Sequence, residues 1–298
     1  MKILNKKNVI YMFDPANKPV YYVNEEEIFW VESDDCYSGQ IKSESDLRPN
    51  INIDIMDAAV GPIYVNGATK NDTLCVEILK FDFNDHGIMV TSPGLGVLGE
   101  KINEPNTKII KIKNNKAYFS DDIVLPLTPM VGVMGVSPKS KAIHCAVPGD
   151  HGGNMDTKIL TVGSKVYLPI FHDGAMLAVS DFHACMGDGE LSGVGLETAG
   201  KVLLQVKVLK NRTISMPRIE TKDSIYTVAT RETMGDAMKV AVDDMVMILS
   251  EKLNLNFPDA YRLLSATCDI QISQVVNGVY TLRVKCPKYV LKYKGLFD

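Results

Sequence analysis

The chain has 298 residues, 46% of them apolar, and a formal net charge of −4 at pH 7. That size and apolar content suffice for a substantial core and about two domains by the usual prior, while the acidic balance argues against a nucleic-acid partner. No run approaches the roughly 18 apolar residues a membrane helix requires, the N-terminus MKILNKKNVIYMF lacks a hydrophobic signal core, and the six cysteines show no paired spacing, so a cytoplasmic chain with reduced thiols and no membrane partner is expected.

From the N-terminus onward the signals are those of strands. The run Glu25-Glu26-Glu27 reads as a solvated face, and Leu74, Val76 and Ile78 then alternate with Cys75, Glu77 and Leu79. The glycines of Pro93 to Gly99 lack the lysine and spacing of a phosphate-binding loop, so that stretch reads as a loop near a site. Lys108, Lys111, Lys113 and Lys116 mark the solvated side of a strand pair, and Val202, Leu204, Val206 and Val208 share one strand face. Frequent Gly, Pro, Asn and Asp breaks favour a mainly β fold, sandwich or barrel, over residues 1–220. No helix is expected before residue 230.

After Lys222 the period changes. Met234, Ala237, Met238, Ala241, Met245 and Ile248 recur every three to four residues, predicting a helix over 231–252 whose methionines belong to a core stripe. A second helix begins near Pro258, and strands around Ile270 to Val276 and Val279 to Lys285 flank a tight Asn277-Gly278 turn. Residues 221–298 therefore read as an α+β domain with two helices and a terminal hairpin.

Polar chemistry concentrates in two places. Asp181 and His183 lie two apart in a strand-like run, so they share a face and can bind one cation. The turn Gly187-Asp188-Gly189 then brings back Glu190, a carboxylate available as a general base. Upstream, Pro148 to Asp156 packs His151, Asn154 and Asp156 among three glycines: His151 and Asp156 suit a divalent ion, and Asn154 an amide or substrate contact. Either segment alone is as easily an ordinary turn. His86, His144 and His172 lack a carboxylate at ligand spacing. Cys185 and Cys145 neighbour histidines in sequence, but such neighbours on a strand point apart, and no Gly-x-Ser-x-Gly elbow is present.

These residues fall within longer segments that resemble the acetamidase/formamidase family of linear amide hydrolases. The segments run in order: VESDDCYSGQI (31–41), AVGPIYVNGA (59–68), GVMGVSP (132–138), GGNMD (152–156), Asp181 to Glu190, and DAYRLLS (259–265). The likeness covers nearly the whole chain. Where the family motif often reads His-Ala-x-Gln, this chain has His183-Ala184-Cys185-Met186, which resembles the shorter, acetamidase-like branch and replaces a carboxamide with a thioether.

The resemblance implies metal-dependent hydrolysis of a small unbranched amide to ammonia and a carboxylate. In the assignment that follows, Asp181, His183, His151 and Asp156 bind the ion, with Asp35 a further ligand or a partner holding a histidine tautomer. Glu190 is the base, and Asn154 and Asp188 contact substrate; by spacing, Asp188 can exchange with Glu190 and Asp34 with Asp35. Mixed Asp and His ligation selects no single metal; zinc is the first expectation, with calcium or manganese also compatible. A homodimer is the prior for a soluble enzyme of this size. The competing reading is a non-catalytic metal or small-ligand binding β-protein on the same scaffold, for which Met186 is the only sequence feature.

Overall fold

The computed structural model describes residues 1–298. Alternating apolar residues build two facing β-sheets. In the strand Gly200–Leu209, Val202, Leu204, Val206 and Val208 are buried while Lys207 is exposed, the period-2 pattern of a strand with one covered face. It pairs antiparallel with Thr73–Phe83 on one side and Ile28–Ser33 on the other, at the centre of a nine-stranded sheet. The second sheet has eleven strands, and Leu177–His183 runs through it between Met130–Gly135 and Ala59–Val65. A core of 30 buried residues fills the sandwich, with Leu74, Val76 and Ile78 from one sheet packed with Val131, Val179 and Phe182 from the other.

The outer face of the nine-stranded sheet carries both helices. α1 (Met234–Leu253) starts at Thr233, whose hydroxyl accepts from the Asp236 N–H at 3.1 Å, and ends at Asn254 in the left-handed region. α2 (Phe257–Thr267) is capped in the same way by Asn256 and has Pro258 in its first turn. Ala237, Ala241, Met245, Ile248 and Leu249 face the sheet and join Ile225, Ala229 and Val284 in a second core. Met234, Met238 and Met247 lie on the exposed side of α1, so of the expected methionine stripe only Met245 is core.

The C-terminal strands are not set apart from the sandwich. Arg218–Glu220 pairs with Lys165–Pro169 and with Ser224–Arg231, which pairs in turn with Tyr280–Pro287 and then Asp269–Gln274. The boundary expected near 220 thus falls inside one continuous sheet. Backbone hydrogen bonding runs unbroken across it, so residues 221–298 extend the first sheet instead of forming a separate domain. No helix is long and apolar enough to cross a membrane.

Candidate active site

Every residue of the Leu177–His183 strand is buried. At Asp181 the backbone adopts φ 56°, a left-handed conformation in the middle of a strand, and the ladder pairs Val131 with Phe182 and Val133 with Ser180 on either side of it. Gly132 lies across from this kink. A Cβ there would stand 2.2 Å from Asp181 Oδ2 and 2.6 Å from Asp156 Oδ1, so the glycine leaves room for two carboxylates. Asp156 and Glu190 also have positive φ, 39° and 49°. Such backbone costs about 1–3 kcal/mol per residue and gathers at functional sites.

These elements meet at His183. Its Nε2 lies 3.2 Å from Glu197 Oε2, 3.3 Å from Asp181 Oδ1 and 3.8 Å from Asp156 Oδ1, with all four side chains buried. Nδ1 faces the Met186 sulfur at 3.3 Å. Glu190 joins Asp156 and His183, each offering a ligand atom within 4.8 Å of the others, and Cys36 joins Asp181 and Glu197 in the same way. Asp156 Oδ1, Glu190 Oε2, Glu197 Oε2 and Asn154 Oδ1 are buried with no hydrogen-bond partner. Left so, each would carry an uncompensated desolvation cost.

The electrostatics follow from this crowding. Burial, then the charge of Asp181, push Asp156 up to about 6, and the same two causes push Glu197 up to about 8. Burial and Asp156 hold Glu190 well above the usual carboxylate range. Asp57 keeps some surface of its own, yet its carboxyl is desolvated and faces Asp181 and Glu197, which also raises it. Asp181 moves the other way: burial raises it, but the His183 imidazolium outweighs burial and holds it down. For His183, burial favours the neutral ring, but Glu197 and Asp181 outweigh it and hold the ring well above its ordinary value.

A divalent cation fits this donor set. Oxygen and nitrogen ligands of one such ion, each bound at about 2.0–2.2 Å, sit roughly 3–3.5 Å apart, close to the 3.2 and 3.3 Å separations around His183 Nε2. The surplus of carboxylates over the single imidazole and the orphaned oxygens supply the charge and lone pairs it needs. Two surface cavities of about 830 and 720 Å³ contain none of these carboxylates.

A pH dependence follows. In metal-free protein the raised carboxyls of Asp156, Glu190 and Glu197 stay protonated in the fold at pH values where the unfolded chain, with carboxyl pKa near 4–4.5, has released those protons. Their contribution to stability is therefore greatest at acid pH and is lost progressively above about 4.5, that of Asp156 by about 6 and that of Glu197 by about 8. With a chelator present, the thermal midpoint is expected to fall between pH 6 and pH 9, and added cation to narrow the difference. Scanning calorimetry checks this; a midpoint that rises over that interval in chelator contradicts it.

Of the residues expected from sequence, Asp156, Asp181, His183 and Glu190 come together. Asn154, on the Gly152–Asn154 strand, is tied to them through its backbone carbonyl, which shares the Asn277 side-chain amide with Asp156. His151 does not join them. Its ring packs edge-on against Phe13 at 4.9 Å, in space left by Gly149 and Gly153, where a Cβ would stand 3.1 Å from Nδ1 and 2.9 Å from Nε2. Both ring nitrogens lack partners, and burial alone, with no acid in reach, lowers the ring to about 4. Asp35 closes its own turn, accepting from the Tyr37 and Gly39 N–H groups at 2.9 and 3.1 Å, while its neighbour Cys36 reaches the cluster. Both oxygens of Asp188 accept from Nη2 of the fully buried Arg283, at 2.7 and 2.8 Å, which removes Asp188 from the centre.

Glu197, Asp57, Cys36 and Asn277 are site residues that sequence reasoning missed. Glu197 lies directly across the strand pair from His183, a relation visible only once the pairing is known.

Fold and centre together define a two-sheet β-sandwich with a buried cluster of carboxylates around one imidazole. The chain belongs to the acetamidase/formamidase family, whose sequence profile matches residues 4–146 and 139–287. An acetamidase from Bacillus halodurans superposes with a TM-score of 0.96 at 38% identity, over 98% of this chain and 99% of that one. An acetamidase from Yersinia enterocolitica gives 0.91 at 31% identity, over 97% and 92%. A formamidase from Methylophilus methylotrophus is 28% identical over 249 residues, 61% of this chain and 60% of that protein. The chain spans about three fifths of the length of the curated relatives it matches first.

Proposed function

We propose that the protein hydrolyses small linear amides, releasing ammonia and a carboxylate, with a divalent cation, zinc first, held by Asp156, Asp181, His183 and Glu197. The observation that carries this reading is the buried, partner-poor carboxylate group around His183 Nε2. When bound, the cation supplies Lewis acidity, polarising the amide carbonyl and making water more acidic.

The remaining steps belong to the chain. Glu190 Oε2, buried and without a hydrogen-bond partner, accepts a proton from the attacking water and passes it to the leaving nitrogen, so that amide and water become carboxylate and ammonium. Asn154 Oδ1, also unpartnered, accepts a substrate N–H and orients the amide. Burial of these groups excludes bulk water and strengthens each contact.

The test is ammonia release from formamide, acetamide and propionamide before and after chelation, with metal add-back and metal analysis of the same sample. Chelator-sensitive, metal-restored release is expected. A folded, metal-loaded protein that releases nothing would favour the binding-protein alternative.

A further inference from the structure

The tip of the C-terminal hairpin reaches the centre described above. Gln274, fully buried, fixes the shape of that tip from inside: its Oε1 accepts from the Val276 and Asn277 N–H groups at 2.8 and 2.9 Å, and its Nε2 donates to Val279 O and Thr281 Oγ1, both at 2.9 Å. With the turn so held, Asn277 Nδ2 donates to Asp156 Oδ2 at 2.6 Å and to the Asn154 carbonyl at 3.2 Å. One oxygen of Asp156 is thereby satisfied. The other, Oδ1, has no hydrogen bond and lies 3.8 Å from His183 Nε2.

The same hairpin grips the other acid-bearing loop. Gly189 donates to Ser273 O at 2.9 Å and accepts from the Val275 N–H at 3.2 Å, which fixes the residue before Glu190. Asp156 and Glu190 come from separate loops, and a single hairpin sets both positions.

We infer that Asn277 is a positioning residue: it holds the Asp156 carboxylate so that Oδ1 is directed at the cation, an inference that rests on the metal-dependent reading of the site. The amide of Asn277 can act in this way because both of its hydrogens are committed, one to the side chain and one to the backbone of the Asn154–Asp156 segment. Removing a hydrogen-bond partner of a ligating carboxylate typically costs 10- to 100-fold in metal affinity or activity.

Asn277 is half-buried and outside the left-handed region, which in this turn only Gly278 occupies. Replacement therefore leaves the turn unstrained. The experiment measures zinc affinity by competition with a chromophoric chelator, the thermal midpoint of the metal-free protein, and kcat and KM for acetamide in wild type, Asn277→Ala and Asn277→Asp. Asn277→Ala is expected to bind zinc about 10- to 100-fold more weakly, with a metal-free midpoint that falls modestly because Asp156 Oδ2 and the Asn154 carbonyl lose a donor, and a fall in kcat exceeding any change in KM. Asn277→Asp, which turns an acceptor towards an acceptor, is expected to bind more weakly still. Wild-type affinity in both variants would overturn the inference, as would tighter binding by Asn277→Asp or, in Asn277→Ala, a raised KM with kcat unchanged. A wild-type protein that binds no zinc, calcium or manganese would overturn the proposed function and this inference with it.

Discussion

Glu190→Gln is expected to lower kcat for acetamide by about 100- to 10,000-fold, the usual worth of a positioned acid–base group, with bound metal and KM little changed. Glutamine keeps the shape of the side chain and its hydrogen-bonding reach but cannot take a proton. The burial and nearby Asp156 that hold the Glu190 carboxyl well above its ordinary range favour a group able both to accept and to return that proton. A pH–rate profile should show the difference: the wild-type enzyme loses activity as this group protonates, and the residual rate of the variant lacks that limb. Metal analysis of the same samples decides the role. Loss of metal with unchanged turnover per bound ion would make Glu190 a ligand and leave the base unassigned.

The second large effect concerns stability. Asp188→Ala is expected to destabilise the fold by about 3–5 kcal/mol, the cost of leaving a buried charge without its partner. Arg283 is fully buried and donates from Nη2 to both oxygens of Asp188, with further bonds to Gln271 Oε1, Thr157 Oγ1 and Ser273 Oγ. The reverse substitution costs less. Arg283→Met removes the buried charge itself, while Asp188 keeps Lys158 at 3.1 Å and a side chain 29% exposed; the loss is then about 1–3 kcal/mol from the orphaned polar groups. Urea unfolding of both variants measures the asymmetry. Equal losses would mean the pair is worth no more than its hydrogen bonds, and an Asp188→Ala protein of normal stability with a raised KM would return Asp188 to the substrate.

Local features of the sequence predicted local structure well. Thr233 and Asn256 cap α1 and α2 close to the expected starts because capping and apolar period are properties of short windows. The valine alternation of Gly200–Leu209 is legible for the same reason, whereas the tight turn expected at Asn277-Gly278 opens into a five-residue connection, 275–279, held from inside by Gln274. Asp181 and His183 are expected to share a face and do meet, at 3.3 Å, although the backbone at Asp181 itself is left-handed. What escaped depends on pairings made at a distance. Glu197 becomes a partner of His183 through strand register, Asn277 meets Asp156 across 121 residues, and Arg283 claims Asp188 across 95. His151 departs for a different reason: its ring is packed against Phe13, 138 residues away, over Gly149 and Gly153, and the local sequence records the glycines but not what they make room for.

The left-handed backbone at Asp156, Asp181 and Glu190 sets survival of the fold against survival of the chemistry. Glycine adopts these dihedrals freely, so at each of the three positions it would relieve strain while deleting a carboxylate. Selection for heat resistance alone would therefore drift toward inert, sturdier descendants. At these three positions the chain carries strained backbone in return for three carboxylates at one centre.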